Sequence, residues 1–286
     1  MKFFDLHCDC IFESIDKKKS LIDGDLCVNL DKISKFKEYR ACFAVWIPDD
    51  FSFQESIDLF NNAINKFKEY ELGKSKILLS VEGGKILGDD ISNINLLKKN
   101  NVKTLTLTWN GRCNIGDGCH VENSLGITHF GKKVVNELEN NNIIIDLSHS
   151  SEKLFYDVCE ISSKPFICSH SNAKSVHDHV RNISDDQFKI IVKIGGIVGV
   201  NFCKDFLSGK NSKIENVFEH IDHFMSLGGE NSVCIGSDFD GSETLDEIKD
   251  VLDVYKLYEF LLKKNYQEKT INKIFYENAN NFFNNL

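Results

Sequence analysis

Apolar residues along this chain follow two alternating periods. Short runs rich in β-branched and aromatic residues occur at 3–9, 41–47, 77–82, 102–108, 143–149, 166–170, 197–202 and 233–238. Most of these runs close on polar or acidic residues and are followed by a stretch with apolar positions three or four apart. In 56–70, Ile57, Phe60, Ile64 and Phe67 share one helical face, and in 130–140 Val134, Val135 and Leu138 do the same. The same spacing predicts helices at 152–161, 185–194 and 214–227, and C-terminal helices over 245–264 and 268–283. Residues 10–40 are less periodic and predict a loop with one short helix near 31–38. Several runs, such as Ile143-Ile144-Ile145 and Ile197-Val198-Gly199-Val200, are apolar on both faces, as in a parallel sheet covered by helices. Eight βα units in 286 residues predict an α/β fold of the (β/α)8 type, a TIM barrel. The alternative is an open doubly wound sheet, but no G-x-G-x-x-G follows the first run. No linker composition or internal repeat divides the chain. Residues 1–286 are therefore expected to form a single barrel domain with extra C-terminal helices from about 245.

Composition narrows the class. A hydrophobic share of 42% is too high for a disordered chain. The formal charge of −9 lacks the basic stripe of a nucleic-acid binder. The N-terminus meets acidic residues at once and has no apolar h-region, and no 18-residue apolar run occurs, so neither a signal peptide nor a membrane span is expected. Ten cysteines are too sparse for a disulfide scaffold. They predict reduced thiols and a cytoplasmic location.

A barrel places its chemistry at the C-terminal ends of the strands. Those ends read His7-Cys8-Asp9, Glu82, Trp109-Asn110, His149, His170, Asn201 and Asp238. His7 and Asp9 are two apart, so an unbroken strand points both into the mouth and turns Cys8, and Cys10 if the strand continues, away. Cys8 then reads as a buried thiol rather than a ligand. A solvated strand end is the ordinary alternative for the H-x-D pair. Glu82 follows an apolar run and is costly there unless paired or metal-bound, although capping the next helix would also account for it. His149 and His170 end consecutive strands and should be neighbours able to share one zinc. Asp146 has the opposite parity to His149 and is not expected to ligate. Asp238 could move a proton at the mouth, while Asp240 suits an Asp-Gly turn. Of the remaining histidines, His220 and His223 fall on a helix far from a strand end. His177 and His179 fall in a loop where they could orient site residues, and His120 and His129 read as surface or loop positions. Only three of the 34 basic residues are Arg, and Arg181 lies just after the sixth run, where its planar fork suits a carboxylate.

Taken together, these residues resemble the membrane dipeptidase (renal dipeptidase) family of zinc peptidases, within the amidohydrolase-like barrels. The matching segments, in family order, are Asp5-Leu6-His7-Cys8-Asp9, Val81-Glu82-Gly83-Gly84, Leu105-Thr106-Leu107-Thr108 and Ile127-Thr128-His129-Phe130-Gly131. They continue with Ile145-Asp146-Leu147-Ser148-His149, Ser169-His170-Ser171, Asp178-His179-Val180-Arg181-Asn182, Val200-Asn201-Phe202 and Gly236-Ser237-Asp238-Phe239-Asp240-Gly241. The resemblance spans roughly 3–285 and is weakest at 10–75 and after 245. It implies a dipeptidase with two zinc ions per chain, in which His7 and Asp9 hold one zinc, His149 and His170 the other, and Glu82 bridges. It further implies a bridging hydroxide as nucleophile, Asp238 as general acid/base in contact with the substrate, and Arg181 on the dipeptide's free C-terminal carboxylate. Some members carry a substrate-contacting His where this chain has Trp109; bacterial-type members often carry Trp there, which makes Trp109 a substrate-binding candidate, and the carboxylate-binding Tyr that some relatives place near Phe206 is missing here.

The expected partner is a small dipeptide, with no nucleic acid and no membrane; a homo-oligomer is compatible with the sequence. Two other readings keep the barrel. One is another metal hydrolase of the wider superfamily, a phosphoesterase, nuclease or lactonase. It is disfavoured by H-x-D in place of H-x-H and by the lack of a bridging Lys. The other is a catalytically degenerate barrel that serves as a binding protein.

Overall fold

A computed structural model describes residues 1–72 and 76–285. Eight parallel strands close into a barrel in sequence order. They are β1 (Lys2–Cys8), β2 (Glu38–Trp46), β3 (Ile77–Glu82), β4 (Val102–Thr106), β5 (Ile144–Asp146), β6 (Ile167–Cys168), β7 (Ile197–Val200) and β8 (Val233–Ile235). β8 returns to β1 through Asp5 and Ile235. The chain thus has the predicted (β/α)8 fold.

Burial on both sides explains the closure. Phe4, Leu6, Ile144, Ile167 and Ile197 share an inner cluster with Tyr276, Ala279 and Phe282 from the C-terminal helical segment. Phe3, Cys8, Phe43, Val81, Leu105, Ile145 and Val198 belong to a larger cluster with the surrounding helices. Those helices start on side-chain caps. Ser52 with Glu55 and Ser184 with Gln187 form capping boxes, and Thr128 and Ser151 each accept a backbone N–H.

The structure differs from the sequence reading in several places, among them the unpredicted short helices Ile94–Lys99 and Lys204–Leu207. The later strands are shorter than predicted, so the site residues of β5 to β8 sit on the turns just beyond them. β2 begins at Glu38, where an extension of the short helix was expected. Residues 10–40 hold two helices, Cys10–Asp16 directly after β1 and Leu30–Ile33. The first has only seven residues, too few to show a helical period. The helix expected from 245 starts as the short turn Val251–Asp253, capped by Asp250, followed by Val254–Lys263. Among the described residues no helix is long and apolar enough to cross a membrane.

One close approach inside the barrel depends on missing side chains. A Cβ at Gly199 or Gly236 would lie 1.9 or 1.8 Å from the Ser169 carbonyl oxygen. Backbone cannot yield as a flexible side-chain tip can, so Gly236→Ala is expected to cost about 3 kcal/mol or more. A thermal melt should fall by about 6 °C or more; an unchanged melt would show that the barrel adjusts.

Candidate metal centre and substrate cavity

The site is assembled at the C-terminal rim of the barrel. β1 ends at Cys8, and Asp9 occupies the N-cap of the next helix without a side-chain capping bond. The pairing of β1 with β2 slips between Asp5 and Cys8. This irregularity, together with the turn at Asp9, brings His7 and Asp9 face to face, with Nε2 3.2 Å from Oδ2. An unbroken pleat is therefore not what aligns them. Cys8 points away, its Sγ near Cys10 Sγ and the Cys42 carbonyl, all buried.

Glu82 is the last residue of β3 and is buried. Its two carboxylate oxygens face different partners. Oε1 is 2.7 Å from His149 Nε2 and 3.4 Å from His170 Nε2, while Oε2 is 3.7 Å from His7 Nε2. The two imidazoles, expected to be neighbours, are 2.9 Å apart through Nε2.

Hydrogen bonds on the far side of each ring decide where its proton sits. Ser169 Oγ is 2.6 Å from Asp146 Oδ2 and 2.8 Å from His170 Nδ1. The serine has one proton, which goes to the carboxylate, so Nδ1 of His170 is the donor. Asp146 is further held by Thr106 Oγ1 and by the Ser148 and Ser169 backbone N–H groups. His149 Nδ1 donates to Asn110 Oδ1 at 2.8 Å. Both Nε2 atoms are left as lone pairs beside the Glu82 carboxylate. Burial, then the charge of Arg181 at His149 and of His7 at His170, pushes both pKa values well down and keeps the rings neutral. Converging lone pairs of this kind repel unless a cation lies among them.

A metal fits the remaining groups as well. Ligand atoms of His7, Asp9 and Glu82, of Glu82, His149 and His170, and of His7, His170 and Asp238 each lie within 4.8 Å of one another. Asp9 Oδ1 is buried with no hydrogen-bond partner. The local field favours positive charge. Burial alone would lower the His7 pKa, but Asp9 and Glu82 outweigh it and raise it to about 10. Burial raises Asp9 to about 7, opposed by His7. Glu82 is likewise disfavoured by burial, yet the positive charge of His7 holds its carboxyl below the usual range.

Asp238 follows β8 and accepts from Asn201 Nδ2 at 2.9 Å. Burial pushes its pKa up. His149 and Asp238 adopt φ of +65° and +63°, left-handed conformations that cost non-glycine residues of order 1 kcal/mol each and that cluster at functional sites. A Cβ on Gly241 would lie 2.1 Å from Asp9 Oδ2, so only glycine fits against this group.

Above these residues lies a cavity of about 540 Å³ lined by Asp9, Glu82, Trp109, His149, Arg181 and Asp238 among others. Phe12, Trp46 and Trp109 form an aromatic wall with ring centroids 5.0 and 4.9 Å apart. Arg181 is 4% exposed. Among the described residues its guanidinium makes one weak hydrogen bond, Nη2 to the His170 carbonyl at 3.4 Å, and its buried Nε has no partner.

Other candidates are committed elsewhere. The Asp240 carboxylate accepts from the Cys27 and Val28 N–H groups. His220 is buried between the Ala173 N–H and the Leu207 carbonyl, and burial lowers its pKa to about 4. His223 pairs with Asp185, and His129 opens an outer helix. His120, read as a surface or loop position, lines the cavity rim. Ser169, Asn110 and Asn201 carry no metal-ligand signature. Their orienting roles could be found only from position, next to a histidine or at a strand end.

The sequence pattern of the membrane dipeptidase family (peptidase family M19) matches residues 48–285. Dipeptidase 3 of mouse and of human are each 32% identical over 235 residues, 76% of this chain and 48% of theirs, so the chain spans about half the length of these relatives. Among solved structures, dipeptidase AC, a metallopeptidase, superposes with a TM-score of 0.90 at 24% identity, covering 98% of this chain and 96% of that one. A metallopeptidase from Rhodobacter sphaeroides, bound to a phosphinate mimic of the dipeptide L-Ala-D-Ala, gives 0.89 at 23% identity and covers 98% and 97%. Both likenesses show the fold over nearly the whole chain, whereas the family pattern starts after β2. With the match running from just after β2 to the C-terminal helices, this chain belongs to the membrane dipeptidase family, peptidase family M19.

Proposed function

We propose that this chain is a zinc-dependent dipeptidase that cleaves dipeptides bearing a free C-terminal carboxylate. The observation that carries the reading is Glu82, whose two oxygens face two separate sets of lone pairs. His7 and Asp9 would hold one zinc, His149 and His170 the other, with Glu82 between them. When bound, the pair supplies Lewis-acid polarisation of the scissile carbonyl and acidifies a water at neutral pH. Family membership supports this choice, as does a fold neighbour that holds a dipeptide mimic. Free thiols at all ten cysteines are compatible with a reducing, cytoplasmic setting.

The chain's own residues account for the rest. Asp238, held by Asn201 and raised by burial, takes a proton from the attacking water and returns it to the leaving amine. Arg181, buried at the cavity wall, binds the terminal carboxylate. Trp109, next to Trp46, closes one wall on the substrate and limits water entry. Asn110, Ser169 and Asp146 keep His149 and His170 in the tautomers that leave Nε2 free.

Metal analysis with a dipeptide-library assay tests this reading. About two zincs per chain and hydrolysis of dipeptides, but not of their C-terminal amides, are expected. Zinc-supplemented protein with no bound metal and no dipeptide turnover would refute it. Arg181→Met should raise KM by about 10- to 100-fold, the worth of charge-assisted hydrogen bonds, with kcat little changed. An unaltered KM would remove Arg181 from the carboxylate site.

A further inference from the structure

We infer that His179 is a second recognition residue for the substrate's terminal carboxylate, presenting its Nε2–H to the cavity beside Arg181. The inference rests on the carboxylate reading of Arg181 and extends it to a residue that no ligand pattern singles out.

The geometry specifies the tautomer. His179 Nδ1 accepts the Arg181 backbone N–H at 3.2 Å. A backbone N–H can only donate, so Nδ1 holds the lone pair and the proton sits on Nε2. Burial, and then the Arg181 charge, lower the imidazole pKa and keep the ring in this neutral form. Two neighbouring rings contact it. His177 stacks on it at 6.2 Å and 10°, and Phe206 lies 4.9 Å away. His177 is anchored in turn by its Nε2 bond to the Asp205 carbonyl.

What remains free is the donor. His179 lines the cavity, and its Nε2 has no hydrogen-bond partner among the described residues and is not one of the buried unpaired atoms. Phe206 also lies under the Arg181 guanidinium, 5.2 Å from Cζ. One ring therefore serves as a platform for two donors and contributes no polar atom of its own. A carboxylate has two oxygens and about four acceptor sites, more than a single guanidinium edge satisfies. A neutral imidazole adds a directed N–H without setting a second full charge against Arg181.

The test separates the donor from the structural role of the same ring. His179→Asn keeps an acceptor near Nδ1 for the Arg181 N–H but loses the distal donor. His179→Gln carries an amide N–H at about the Nε2 position. Calorimetry on zinc-loaded protein would compare the phosphinate isostere of alanyl-alanine with the same molecule as a C-terminal carboxamide. His179→Asn should weaken the carboxylate probe about tenfold and the carboxamide less than about twofold, and His179→Gln should restore the carboxylate probe to within about threefold. If wild type prefers the carboxylate, Arg181→Met abolishes that preference and His179→Asn does not weaken it, His179 is excluded while the Arg181 reading stands. If both His179 variants weaken both probes equally, the ring acts only by holding the loop and the inference fails. If wild type does not distinguish the two probes, the carboxylate reading and this inference fall together.

Discussion

Asp238→Asn is expected to cut turnover by about two to four orders of magnitude, the usual worth of a positioned general acid/base. The change is nearly isosteric. The side-chain oxygen that remains can still accept from Asn201 Nδ2, which lies 2.9 Å from Asp238 Oδ2, so the local fold should persist. What disappears is a carboxylate placed to accept and return a proton. Metal content measured on the same sample distinguishes two roles, because Asp238 also lies within ligand distance of His7 and His170. Two zincs with turnover lost support proton transfer. Loss of a zinc would make Asp238 a ligand first. Turnover above about a tenth of wild type would exclude both.

Glu82→Gln should have the second large effect, through the metal. Only a carboxylate offers an equivalent lone-pair oxygen to each side, and here one faces His149 at 2.7 Å and the other faces His7 at 3.7 Å. An amide replaces one of them with an NH2 group that cannot ligate. Metal analysis should show at least one zinc lost per chain, and dipeptide turnover should fall by about 10³-fold or more. The charge balance changes too. Glu82 is one of the two main carboxylates that raise His7 to about 10, so the variant's His7 should titrate lower, which NMR can follow in metal-free protein. Full zinc content in Glu82→Gln would show that the two sets of ligands do not depend on this bridge.

Much of the barrel was legible because its strands are buried on both sides. Ile143-Ile144-Ile145 and Ile197-Val198-Gly199-Val200 cannot be read as half-exposed strands, and eight such runs leave few other folds. The site was legible where a costly residue interrupts an apolar run, as Glu82 does after Val81. The helix Cys10–Asp16 was missed because seven residues show too little period, and Cys10 was therefore read as a possible strand continuation.

Local residue order by itself thus pointed to the eight-strand architecture and to the polar residues at or just beyond most strand ends, since hydrophobic period and buried charge are properties of the chain read in one dimension, and the ordered motifs carried the family resemblance. Tertiary structure alone decided how those residues meet. The slip in β1 pairing brings His7 onto Asp9, and Ser169 and Asn110 reach across neighbouring turns to place the protons of His170 and His149. Arg181 is left with an unpartnered Nε, and His179 is contacted by His177 and Phe206. Some of these contacts, such as Asn110 with His149 and His179 with Phe206, join positions distant in sequence, and the angles and distances of all of them are set by the closed barrel.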